Sequence, residues 1–168
     1  MNKQQLLKLL TKEKESLLRA LRGLDEAALT TEPVLEDWSI KDILGHVVSW
    51  GDEFRAEIRA IRASPAPAYG YLISSEDQYR EWNMREAARK QSWPWSKIQE
   101  DLERDGQEMA ALLQQLSDAE LGKRGVVPWH FKTLTMGWLI RAHYIHMREH
   151  TALIRKWRAQ RGDKGFRR

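Results

Sequence analysis

Cysteine is absent from the 168 residues. That excludes disulfides, thiolate metal ligands and a cysteine nucleophile, and it fits a reducing compartment, so a cytoplasmic location is expected. Proline and glycine are scarce, at 5 and 10 residues, too few turn-formers for a many-stranded β fold. There is no run of about 20 apolar residues, so no membrane-spanning helix is expected. The opening Met1-Asn2-Lys3-Gln4-Gln5 leads into a charged amphipathic stretch, not the apolar segment of a secretory leader. Neither a Gly-rich phosphate loop nor a nucleophile elbow occurs. Internal repeats and low-complexity segments are also lacking, and the length is that of one domain over 1–168.

Leucine and alanine lead the 42% apolar fraction, which favours helix. The net charge of +4 owes much to Arg155, Lys156, Arg158, Arg161, Lys164, Arg167 and Arg168. No nucleic-acid motif accompanies them, so the run reads as a solvated helix end suited to the C-terminal dipole, frayed over 161–168. Nucleic acid is therefore not an expected partner. Eight tryptophans are available to fill a core or wall a pocket.

Leucines at three- and four-residue spacing, from Leu6 to Leu21, predict a first helix over 3–22, with Asn2 as N-cap and Gly23 as stop. Loop is expected from there to Asp37. Ser39 and Asp42 form a capping-box pair that opens a second helix over 40–62, with Trp38 stapled to its first turn. Ile43, Val47, Phe54, Ile58 and Ile61 make its buried stripe, and His46 lies at the edge of that stripe. Ser64-Pro65-Ala66-Pro67 starts a long connection. Ser75 caps a short accessory helix to about residue 90, containing Trp82 and Asn83. A third long helix follows Pro94 and ends near Leu116, and 121–132 reads as loop. Thr133 or Thr135 caps the last long helix, carried to about Gln160, whose inward face is expected to include Trp138, Leu139, Ala142, His146, Leu153 and Trp157. The fold class is thus all-α: a four-helix bundle with one short accessory helix and a long second-to-third connection.

Three of the five histidines fall in His143-Tyr144-Ile145-His146-Met147-Arg148-Glu149-His150. His146 and His150 are four apart and project from one face of a helix, a spacing that grips a single transition-metal ion. His46 is the candidate third ligand. A three-nitrogen site suits Zn(II), Ni(II), Co(II), Fe(II) or Mn(II) and leaves positions open for water or a thiol. His143 lies about 20° around the helix from His150 and about 60° from His146, so it either replaces one of them or sits behind the site. Met147 stands where a zinc peptidase would carry its glutamate, and Glu149 is expected to point away as a surface charge.

Trp38-Ser39-Ile40-Lys41-Asp42-Ile43-Leu44-Gly45-His46-Val47-Val48-Ser49-Trp50 resembles the second helix of the DinB-like (DinB/YfiT) four-helix-bundle superfamily. His146-Met147-Arg148-Glu149-His150-Thr151-Ala152-Leu153-Ile154-Arg155 is similar to its last helix, and Trp82-Asn83 resembles the ClbS/DfsB-type subgroup. The resemblance implies that His46, His146 and His150 coordinate a divalent metal (Zn, Ni, Fe or Mn), with His143 and His130 in support and Trp50, Trp82, Asn83 and His143 around a pocket. It implies a metal-dependent transferase or hydrolase acting on a small molecule in stress response or detoxification, with a low-molecular-weight thiol as cosubstrate. The ClbS/DfsB branch implies the alternative of a non-catalytic protein that binds a reactive compound. A homodimer is also implied.

Overall fold

In the computed structural model, residues 1–63, 73, 75–127 and 132–163 are described. The order is α1 (Lys3–Leu21), α2 (Glu26–Thr30), α3 (Ile40–Ala63), α4 (Glu76–Lys90), α5 (Trp95–Gln115), α6 (Asp118–Leu121), β1 (Arg124–Val127), β2 (Lys132–Thr135) and α7 (Met136–Gln160). Local chemistry sets the long helices. Asn2 and Gln5 close a capping box on α1, and Gly23, at φ 76°, follows its end. Ser39 and Asp42 exchange backbone and side-chain bonds at the start of α3. Thr135, not Thr133, caps α7 by accepting from the Trp138 amide.

The four long helices form a square. α1 packs on α7 and α5, and α3 packs on the same two, with α4 laid along α3. The two helices that carry the histidines of interest are therefore neighbours. Their shared core includes Phe54, Ile58, Leu139, Ile140 and Tyr144. Arg158, near the end of α7, donates to the Ala20 and Arg22 carbonyls at 2.7 and 2.8 Å, satisfying acceptors that the end of α1 leaves open. No helix among the described residues is long and apolar enough to cross a membrane.

Three expectations need correction. The stretch expected as loop after Gly23 contains α2, capped by Asp25. The stretch expected as loop over 121–132 holds an antiparallel hairpin with Arg124 opposite Thr135. These strands are four residues each and lack a long alternating pattern. Gly125 has no room for a Cβ against Ile61, so the hairpin sits tightly on the end of α3. The apolar stripes are also rotated: Leu18 is 51% exposed and Trp138 is 37% exposed, while His143 and Met147 turn inward. The Pro-rich connection from Ser64 to Tyr71, the Pro128-Trp129-His130 segment and the tail from Lys164 lie outside the described residues.

A buried polar knot fixes α3, α5 and α7 relative to one another. The Arg55 guanidinium pairs with Asp105 Oδ1, and His143 Nε2 lies 3.1 Å from Asp105 Oδ2, all within the core. A Cβ at Gly51 would run into Asp105 Oδ1, so glycine there admits the carboxylate. Burial, then the Arg55 charge, lowers the His143 pKa to about 3. The imidazole is thus neutral, and Arg55 supplies the charge that matches Asp105. Arg55 also reaches Asp52 and Glu108, so Asp105→Ala removes one of three carboxylate partners of a buried guanidinium, and it is expected to lower unfolding stability by about 1–3 kcal/mol in a urea titration.

Glu57 on α3 is fully buried, with both carboxylate oxygens lacking a partner among the described residues. Burial, then the Glu53 charge, raises its pKa from 4.5 to about 7. The folded chain keeps a proton that the unfolded chain releases across that window, so this group costs stability as pH rises through it. Glu57→Gln is expected to match the parent below about pH 5 and to be more stable above about pH 7, by an amount on the order of 1–3 kcal/mol in thermal or urea unfolding.

Candidate metal centre

His46 from α3 meets His146 and His150 from α7. His46 Nε2 lies 3.1 Å from His146 Nε2, and His150 Nε2 lies 3.0 Å from His146 Nε2. The three ligand atoms all fall within 4.8 Å of one another. Two imidazole nitrogens bound to one ion at about 2.1 Å stand about 3.0 Å apart at a right angle and about 3.4 Å apart at the tetrahedral angle. The observed spacings fit a shared ion.

The electrostatics fit as well. Burial, then the His150 and Lys90 charges, lowers the His46 pKa to about 3, with Asn83 acting in the other direction. Burial lowers His150 to about 4. Burial, then the charges of His150 and His46, puts His146 well below its ordinary value. All three are neutral at pH 7, with lone pairs available to a cation. Each Nδ1 is buried without a partner among the described residues. Ring orientation therefore rests on packing. Trp38 meets the His46 ring edge-on at 5.4 Å between centroids, and Trp50 does so at 6.4 Å.

Lys90, at the end of α4, steadies the α3 side of the site. It is buried and donates to the Gly45 carbonyl at 2.6 Å and to Ser49 Oγ, bracketing His46 on α3. Ser49 in turn donates to Glu86 at 2.9 Å. Burial, then Arg89, lowers the Lys90 pKa to about 8. Sequence reading did not single out this lysine, since one Lys in a polar helix gives no signal of burial.

A cavity of about 400 Å³ opens beside His146, walled by Trp50, Phe54 and Tyr79 on one side and by the Trp138-to-Glu149 stripe of α7 on the other. Of the predicted pocket residues, Trp50 lines it. Trp82 and Asn83 stand behind Trp50: the Trp82 ring lies 4.4 Å away, and Asn83 Oδ1 accepts from Trp50 Nε1 at 3.0 Å. His143 is turned away toward Asp105 and joins neither the triad nor the cavity wall. Glu149 is exposed as expected, yet it borders the cavity. Tyr79, stacked on Trp50 at 5.2 Å, was missed because α4 carries little helical periodicity of apolar residues. A larger cavity of about 500 Å³ between α1 and α5 contains no histidine.

A family model of the DinB superfamily matches residues 9–154. An uncharacterised protein of Escherichia coli UTI89 superposes with a TM-score of 0.78 at 18% identity, covering 97% of this chain and 96% of that one. ClbS, a colibactin self-resistance protein solved in complex with double-stranded DNA, superposes with a TM-score of 0.76 at 16% identity over 94% and 95% of the two chains. YfiT from Bacillus subtilis, described as a probable metal-dependent hydrolase with an unusual four-helix bundle topology, gives 0.74 at 15% identity over 96% and 89%. At these identities the likeness is one of fold. No curated protein matches the chain in sequence.

Elemental analysis of the untagged protein is expected to find close to one divalent transition-metal ion per chain. His146→Ala and His150→Ala are each expected to bring it near zero, and His143→Gln to keep it.

Proposed function

The chain belongs to the DinB superfamily, and on that footing we propose that it binds a divalent transition metal and acts on a small molecule, as a metal-dependent thiol transferase or hydrolase. One observation carries this reading: three neutral imidazoles converge, Nε2 to Nε2, beside a cavity of about 400 Å³. His46, His146 and His150 would hold the ion. A divalent ion supplies Lewis acidity, which favours the deprotonated, nucleophilic form of a thiol or a water. The chain's own part is to position and to shield. Trp50, Phe54 and Tyr79 offer flat apolar walls against which a substrate body stacks. Trp38 and Trp50 pack on the His46 ring and limit water around it.

Nothing in the described side chains forms a Ser-His-Asp relay near the triad, so the nucleophile in this reading comes from the substrate or from water. The likeness to YfiT supports hydrolysis, since that protein is described as a probable metal-dependent hydrolase. The thiol and the identity of the metal remain parts of the proposal.

A second reading is capture without turnover. Its support is the aromatic cluster of Trp50, Tyr79 and Trp82, together with the shared fold of ClbS, a self-resistance protein. In that reading the cavity sequesters a reactive compound. Double-stranded DNA is the partner in the ClbS structure; for this chain a small molecule is the proposed partner, because an aromatic-lined cavity opens beside the triad.

Two assays separate the readings. Metal-loaded protein is incubated with a low-molecular-weight thiol and an electrophilic aryl halide, and separately with an aryl ester. Turnover above background in either assay, lost on chelation and restored by the metal, is the expected outcome. A ligand-dependent tryptophan fluorescence change that survives chelation, with no turnover in either assay, would favour capture.

A further inference from the structure

The cavity beside the triad has a charge order of its own. Trp138, Arg141, Ala142, Ile145, His146 and Glu149 all line it, and they follow the i, i+3, i+4, i+7, i+8, i+11 spacing of one helix stripe. The wall is therefore a straight run along α7. From the helical rise, Arg141 stands about 7–8 Å along the axis from His146, and Glu149 stands about 4–5 Å beyond His146 in the other direction. A cation marks one end, the triad lies near the other, and the only anionic side chain among the lining residues, Glu149, falls at the triad end, between His146 and His150 in sequence.

Arg141 is one of several described arginines with no carboxylate beside them. Arg55, Arg62, Arg89, Arg104, Arg158 and Arg161 each pair with a carboxylate. Among the described residues no carboxylate lies within ion-pair distance of Arg141, which is exposed and borders the cavity. Trp50, Phe54 and Tyr79 line the cavity from α3 and α4, and Ala142, between Arg141 and His146 in sequence, adds only a methyl group to the α7 side. A planar guanidinium at the mouth of an aromatic slot favours a carboxylate or a similar planar anion, held by two parallel hydrogen bonds.

We propose that the cavity takes an elongated organic anion. Its carboxylate sits on Arg141, its flat apolar body lies between the aromatic wall and Ala142, and its far end reaches the triad. Glu149 disfavours the reverse orientation and disfavours a second anionic group at the triad end. This names a substrate class for the site proposed above and rests on that small-molecule reading. Arg141 is a specificity-determining residue here. It binds the end of the molecule remote from the reaction.

The test uses 4-phenylbutanoate and its uncharged counterpart 4-phenylbutanamide as probes, followed by tryptophan fluorescence at low ionic strength. Metal-free protein is used, so that a bond from the carboxylate to the metal cannot produce the preference. The acid is expected to bind about five- to tenfold more tightly than the amide. Arg141→Gln is expected to abolish that gap by weakening the acid far more than the amide, and raising the salt concentration is expected to shrink it in the parent. Ala142→Leu, which adds bulk to the α7 side, is expected to weaken both probes. Equal affinity for acid and amide, a gap that survives Arg141→Gln, or binding indifferent to Ala142→Leu would overturn the proposal. Metal content of the same batch is measured separately: protein that takes up no metal contradicts the metal-dependent reading, while the acid-to-amide gap still decides this one.

Discussion

Three imidazole nitrogens held 3.0 and 3.1 Å apart in a buried site form the contact on which the functional reading depends. With all three rings neutral, N–H···N bonds can satisfy part of such a cluster, but lone pairs aimed at one point repel unless a cation sits among them. The bundle imposes this meeting. α3 brings His46, α7 brings His146 and His150, and the two helices pack side by side. Their relative height is set by Arg55, Asp105 and His143, a buried group that ties both helices to α5. Lys90 adds a second tie, from α4 to the Gly45 carbonyl next to His46. Polar groups in the core are costly when incomplete, so a bundle held this way has little freedom to let the triad drift apart.

Much of this was legible in the residues. The long helices follow from leucine spacing and from Asn2, Ser39 and Thr135 at their starts, because caps and periodicity act over a few residues. The pairing of His146 with His150 follows from one turn of helix. His46 was a candidate third member from its place at the edge of an apolar stripe, but nothing local says which helices will be neighbours, and the family resemblance strengthened that step. The facing of α7 was partly misread. Trp138 was expected inside on hydrophobicity, yet the core took His143, which lies 3.1 Å from Asp105 of a different helix. The hairpin and α2 escaped notice because four- and five-residue elements carry too little pattern and are stabilised by what they rest on, as Gly125 rests on Ile61. Of the cavity only Trp50 was named as a pocket residue beforehand, because its walls come from three helices.

The DinB fold is shared with proteins of different description, from a self-resistance protein to one described as a probable metal-dependent hydrolase. A shared bundle does not decide among such activities; the site does. In this chain the triad sits beside an aromatic cavity with a cation at one end and a carboxylate at the other. That arrangement separates two jobs. The histidines address a reactive atom, and the stripe of α7 addresses the rest of the molecule.

The central claim is that His46, His146 and His150 bind one ion together through Nε2. X-ray absorption at the zinc edge of the zinc-loaded protein tests it most directly. The account predicts three imidazole nitrogens in the first shell at about 2.0–2.1 Å. A shell with one imidazole or none, or zinc taken up equally by protein lacking the His46 side chain, would contradict it.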